Sequence, residues 1–273
     1  VEGLGSIRNF EKLVSLCDEL GKAIVVIKIG KSEHAQLSAV SHTASLAGND
    51  KGASALMKRL GVARVNSLSE FIETLKVFHC HGRLSGSSVA SVSCSGGEAS
   101  LIADICNGSQ LVFPKLTKEQ TNGLNSALGA KVALANPLDY HTYIWGDAGK
   151  MAQTFISIMQ DKNIDIGIII VDFPRSDFCD PDAWNCVVEA AVLTKKAVKK
   201  PIALMSTLAE NIEESVAKDL MTKNLIPLCG MDEGLAAIIA ASTQKTDLDP
   251  VKYPVILPNN NKSACLLNAV SYT

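Results

Sequence analysis

Residues 7–20, IRNFEKLVSLCDEL, place apolar side chains at 7, 10, 13, 14, 16, 17 and 20, and Gly21 follows. That spacing turns one face of a helix toward a core, and the glycine is a stop signal. AIVVIKI at 23–29 reads as a buried strand. A loop at 30–43 built from Ser, Ala, His and Gly leads into a helix at 45–60, which Gly61 closes. ARV is a short strand. Ser67 with Glu70 three residues on predicts a capping box opening a helix at 68–80. The Gly/Ser cluster HGRLSGSS at 81–88 is a linker signal.

After it a second alternation begins. SVASVSC is a strand, Ser95-Gly96-Gly97 a sharp turn, and EASLIADICNG a helix ending at Gly108. A helix at 117–128 carries a second capping-box pattern, TKEQ, and NPLDY at 136–140 reads as turn and loop. A helix at 147–161, the strand IDIGIIIVDF and a long helix from DPDAWNC to VKK follow. Then come strand PIALMST, helix LAENIEESVAKDLMTKN, strand LIPLCG and helix DEGLAAIIAAS. Strands alternating with helices predict right-handed βαβ units and parallel sheets. The fold class is therefore α/β, with two units at 1–82 and 83–245. From about 246 to 273 the chain has no period and reads as a tail or linker. The first unit is short for a doubly wound domain and opens on Val1-Glu2-Gly3, which looks like the end of a strand. One or two further strands are expected upstream.

Composition narrows the function. Of 273 residues 47% are hydrophobic and 20% charged, and the net charge of -2 comes without a basic stripe, against a nucleic-acid footprint. The apolar runs AIVVI and IGIIIV fall far short of a bilayer span, so no membrane role is expected. No signal-peptide pattern opens the chain. Eight cysteines without a CxxC pair, mostly inside apolar elements, read as buried free thiols of a cytoplasmic protein. His79-Cys80-His81 points its side chains in different directions and reads as a helix end running into a linker; no metal is expected.

The candidate chemistry lies in two turns of small residues, SHTASLAG in the first unit and SCSGGEAS in the second, each ahead of a helix. Small residues allow close backbone approach, and a helix N-terminus offers unpaired N–H groups to an anion. Such turns also occur throughout parallel α/β domains with no ligand. The pair gains weight from His42, whose neutral imidazole is nucleophilic near pH 7 and can carry a phosphoryl group. A carboxylate must then orient the ring, and Glu2 and Asp139 are the candidates. A histidine in a loop is otherwise simply solvated.

GKSEHAQLSAVSHTASLAGND resembles the loop of the NDP-forming acyl-CoA synthetases, which is roughly K-S-G-R-S followed by S-H-T-G-S-L-A-G. That family includes ADP-forming acetyl-CoA synthetase and, more distantly, succinyl-CoA synthetase. Val1-Glu2-Gly3 resembles its L-E-G segment, Gly61 to Val65 its G-V-I-R-V, and Ser93 to Gly97 with Ala103-Asp104 its T-N-S-G-G and helical Asp. Asn136 to Asp139 resembles N-P-V-D. The resemblance implies two flavodoxin-like, succinyl-CoA synthetase-like domains of a ligase that joins a carboxylic acid to CoA with ATP/ADP turnover. It implies His42 as the phosphorylated histidine and Glu2 as its orienting carboxylate. Ser45, Leu46, Ala47 and Gly48 in one turn, and Ser95, Gly96 and Gly97 in the other, would cradle the phosphate. The small-residue loop at 38–45 suits a segment that swings between sites. Asp139 and Tyr140 are candidates for an acyl pocket or its support.

Three substitutions depart from the pattern: Ala44 for Gly, Ile29 for Ser and Cys94 for Asn. The bulky segment Tyr140 to Asp147 is not general in the family and serves either to shape an acyl pocket or to pack. The implied cofactors are CoA and ATP/ADP with Mg. The implied partners are a Rossmann CoA-binding domain and an ATP-grasp domain, in the same chain or another subunit, and a homo-oligomer is expected. The rival readings are a non-catalytic regulatory or CoA-sensing region fused to a GNAT acetyltransferase, and a subunit-interaction module.

Overall fold

The computed structural model describes residues 1–36 and 49–245. The predicted elements form, with shifted ends. The first unit holds α1 (Ile7–Glu19), β1 (Val25–Ile27), α2 (Asp50–Arg59), β2 (Ala63–Val65) and α3 (Leu68–Cys80). The second holds β3 (Val89–Ser93), α4 (Gly96–Cys106), α5 (Lys118–Leu128), β4 (Leu138–Asp139), α6 (Ala148–Met159), β5 (Ile166–Ile170), α7 (Asn185–Val198), β6 (Ile202–Met205), α8 (Glu214–Thr222), β7 (Ile226–Leu228) and α9 (Met231–Ala241).

β1 and β2 pair in parallel, Val25 opposite Ala63. Val1 lies alongside β1: its amino group donates to the Ile27 carbonyl at 2.8 Å, and the Ile29 N–H donates to the Val1 carbonyl at 3.0 Å. Those two bonds follow the parallel pattern. The second sheet is parallel throughout, with order β4-β3-β5-β6-β7. Numbered within its own unit this is 2-1-3-4-5, the flavodoxin order, whose switch point lies between β3 and β5.

Side chains alternate across that sheet. Ile169 and Leu204 face one core with Phe155, Val187 and Leu220, from α6, α7 and α8. Ile168, Ile170, Ala203 and Met205 face the other with Ile102, Leu235 and Ile238, from α4 and α9. Val77 of α3 belongs to this second core too, although α3 precedes the linker. Phe71 and Phe78 of α3, with Ala240 of α9, also pack on Ala63 and Val65 of β2. So α3 and α9 form a layer shared by both sheets.

NPLDY is not simply a loop: Leu138-Asp139 form the edge strand β4, in register with Val92-Ser93. Asn136 makes this possible. Its Oδ1 accepts the Ser91 N–H, and its Nδ2 donates to the carbonyls of Val89 and Pro114. The capping box at Thr117/Gln120 is complete. That at Ser67/Glu70 is only half made, because Glu70 Oε2 accepts from the Asn66 N–H. The long helix at 180–200 starts late: Asp182–Trp184 is a 3₁₀ turn, and α7 begins at Asn185.

The seven cysteines among the described residues are all free. Burial was overestimated: only Cys106 is fully buried, and Cys179 is exposed. His79 and Cys80 end α3, with His81 as its C-cap. Among the described residues no helix is long and apolar enough to cross a membrane.

Candidate functional site

β3 runs out of the sheet at Ser93, and the chain must turn at once to enter α4. Ser95 caps that helix, accepting from the Glu98 N–H at 3.4 Å, and the Ser93 hydroxyl donates to the Ser95 carbonyl at 2.9 Å. The two bonds fix the turn. The first amides of α4, at Gly96 and Gly97, then face outward at the helix's positive end. A β-carbon on Gly96 would lie 3.1 Å from Asp139 Oδ2, so the helix end passes close against β4.

Asp139 sits at the carboxyl end of β4. Its Oδ1 accepts the His141 N–H at 2.8 Å, and Oδ2 lies 3.6 Å from His141 Nδ1. Tyr140 turns the other way. It is 1% exposed and packs edge-on against Phe155, with ring centroids 5.5 Å apart. Burial pushes its hydroxyl far above the ordinary range. Tyr140 is therefore a core support behind the site.

At the switch point, between the ends of β3 and β5, opens a cavity of about 510 Å³. Cys94, Glu98 and Asp172 line it on the polar side, Ile170 and Val171 on the sheet side, and Thr142, Trp145 and Trp184 across from them. The two indoles meet edge to face, 5.8 Å apart. Asp172 is tied down by the N–H and hydroxyl of Thr207, at 2.7 and 2.6 Å. Glu98 is not: its Oε2 is buried with no partner among the described residues. Burial, then Asp172 and Asp139, push its carboxyl up to about 7. Burial, then the Glu98, Asp139 and Asp172 carboxylates, hold the Cys94 thiol above its usual value. An anion at the α4 terminus thus meets carboxylates as well as amides. Glu98 can relieve the repulsion by keeping its proton.

Of the first-unit candidates, Glu2 is half-buried, and its Oε2 is likewise shielded and unpartnered among the described residues. His42, Ser45, Leu46, Ala47 and Gly48 lie outside the described residues. Lys28, at the end of β1, is only 2% exposed, and its ammonium donates to the Ile29 carbonyl at 2.7 Å. Reading the sequence passed over Lys28, although a lysine inside AIVVIKI is its own signal. Glu98, Asp172 and Trp184 were also missed, and Trp145 entered only as part of the bulky segment 140–147. The four come from four separate segments, and only the sheet order brings them together. Among the described residues no group of three or more His, Cys, Asp or Glu is placed to hold a metal ion.

A parallel flavodoxin-order sheet with a glycine-led helix end at its switch point defines a flavodoxin-like fold. Comparison with known proteins narrows it. Residues 1–78 match the family described as succinyl-CoA ligase like flavodoxin domain. The chain is 28% identical over 245 residues to the ADP-forming acetate–CoA ligase II subunit alpha of Pyrococcus furiosus, covering 90% of this chain and 52% of that one. It is 24% identical over 254 residues to the ADP-forming 4-hydroxybutyrate–CoA ligase of Nitrosopumilus maritimus, covering 90% and 34%. The dinucleotide-forming acetyl-coenzyme A synthetase 1 of Ca. Korarchaeum cryptofilum, solved with phosphate and ADP, shares the fold at TM-score 0.68 and 17% identity, covering 88% and 51%. The chain is similar to ADP-forming CoA ligases, and it spans about half or less of the length of the relatives it matches.

Proposed function

We propose that this chain is the phosphoryl-relay part of an NDP-forming acyl-CoA synthetase. In the ATP-yielding direction, phosphate displaces CoA from an acyl-CoA to give an acyl phosphate. A ring nitrogen of His42 attacks the phosphorus, the carboxylate leaves, and phospho-His42 then passes the phosphoryl group to ADP. Run backwards, the same steps make acyl-CoA from acid, CoA and ATP. CoA and the nucleotide with its Mg are held mostly by a Rossmann domain and an ATP-grasp domain of the whole protein.

The observation that carries this reading is the free carboxylate oxygen of Glu2. Shielded from water, it lacks a donor among the described residues, and a buried acceptor without one is costly. An imidazole N–H would supply the donor. It would fix the ring's tautomer and favour the charge that builds up as the other nitrogen takes phosphorus. The amides of Gly96 and Gly97 and the helix end behind them would hold the phosphoryl oxygens.

The test uses the whole protein with radiolabelled ATP. Label that is acid-labile and base-stable is expected, and it should vanish in His42→Ala. In Glu2→Gln it should form much more slowly. Label surviving in His42→Ala removes the assignment.

A further inference from the structure

The cavity beside the phosphate end of α4 is larger and more apolar than a two-carbon acid needs. Its volume of about 510 Å³ lies inside the ~300–1,000 Å³ typical of pockets for drug-sized ligands. Its walls are unusual for this chain, which contains only two tryptophans. Both line this one cavity, although they stand 39 positions apart, at 145 and 184. Each is placed by a short irregular turn, Trp145 directly after the 3₁₀ turn Thr142–Ile144 and Trp184 closing Asp182–Trp184. Ile170 and Val171, at the end of β5, supply the apolar floor. Indoles offer a large rigid face to a planar group at low entropic cost.

We propose that this cleft is the acyl pocket of the reaction and selects carboxylic acids with a bulky planar apolar body, an aryl or arylalkyl group, over acetate. The body lies between the Trp145 and Trp184 rings and the Val171 floor. Its carboxyl end points toward the amides of Gly96 and Gly97, with Glu98 as the neighbouring hydrogen-bond partner. The assignment rests on the acyl-CoA synthetase reading and adds its substrate class. It differs from a general anion site because the apolar wall contributes nothing to binding phosphate.

Both tryptophans line the cavity, so their fluorescence responds to an occupant; Trp184 also borders a second cleft with Val188 and Val216, and the Thr142 and Trp145 variants separate the two. Titrating the protein with phenylacetate should give a saturable change, and acetate at equal concentration should give none. Thr142→Phe narrows the mouth at an exposed position and should weaken phenylacetate binding at least tenfold, as should Trp145→Ala. In the whole enzyme Thr142→Phe should raise the KM for phenylacetate by a similar factor and leave that for CoA unchanged. No saturable response to phenylacetate or benzoate while His42 still takes label would overturn the pocket and leave the synthetase reading standing. A response unaltered by Thr142→Phe and Trp145→Ala would overturn it as well. A normal response with no label on His42 would overturn the acyl role through the failure of the synthetase reading, since the cleft would then bind aromatic acids for another purpose.

Discussion

Glu98 and Lys28 are ionisable groups held where water cannot fully serve them, and each has a measurable consequence. Glu98 has its carboxyl pushed up to about 7 by burial and by Asp172 and Asp139. Its pKa in the unfolded chain is near 4.5, so the folded state binds the proton more tightly. The stability this gives is fully present below about pH 4.5 and is lost as pH rises through 7. Glu98→Gln should therefore flatten the pH 5–8 slope of the urea midpoint. It should leave the variant the more stable at pH 8 by about 1–2 kcal/mol, after allowance for partial solvent screening. Equal slopes in the two proteins would show that Glu98 titrates as it does in solution. Lys28 is a buried ammonium whose partner among the described residues is a neutral carbonyl. A buried charge without an opposite charge is a cost. Lys28→Met should raise stability by about 1–3 kcal/mol. If the ammonium is there to balance a phosphoryl group near β1, the same substitution should lower the steady-state label on His42. Unchanged label would make Lys28 irrelevant to the relay.

Among the elements, the linker shows best what local reading reaches and what it misses. HGRLSGSS announces a break between periodic regions, and the break is there. Its rigidity was not legible. Asp165, 77 positions on from Ser88, accepts from the Ser85 hydroxyl at 2.9 Å and from the Ser88 N–H at 2.9 Å. Gln244 donates to the Leu84 carbonyl at 2.7 Å, and the Leu84 N–H donates to Ala241. A β-carbon on Gly86 would run into the Asp165 carboxylate. Gly86→Ala must displace that carboxylate and break at least one of its bonds, a cost of about 1–3 kcal/mol in the urea midpoint. A neutral result would mean the linker is free to move aside. The same contrast runs through the site. Helices and strands were readable because their apolar periods are long and local. Ser95 to Gly97 and Asp139 stand out as candidates in the sequence because a turn's chemistry is written in adjacent residues. β4 was not: two residues carry no period, and its pairing depends on Asn136 bonding across to β3. Trp145, Trp184, Glu98 and Asp172 meet only once the 2-1-3-4-5 order sets β3 beside β5.

At the scale of the whole molecule, the shared layer of α3 and α9 decides whether the two units behave as one. Among the described residues the first unit's own core is small, with Val14, Val26, Leu56, Met57, Leu60 and Val62 on one face of a two-stranded sheet. Its other face is covered by Phe71 and Phe78 from α3 and by Ala240 from α9. Polar bonds tie the seam. Glu73 Oε2 accepts the Cys229 N–H at 2.9 Å, and Lys76 bridges Glu73 at 2.7 Å and the Cys229 thiol at 3.2 Å. Arg83 donates to the Gly61 carbonyl and to Asp18. A sheet of two strands is marginal without such cover. Stability of the first unit should therefore be borrowed from the second through this seam. Ala240→Asp tests this, because position 240 is only 5% exposed and faces β2 rather than the second sheet's core. Burying a carboxylate there should cost about 3–5 kcal/mol, falling mainly on the first unit. Calorimetry should then resolve two transitions where the parent shows one, with the first unit melting earlier and the five-stranded unit near its original midpoint. A single transition, lowered as a whole, would instead mean that neither unit survives without the other. Glu2 and the helix end at Gly96 would then be parts of one cooperative body.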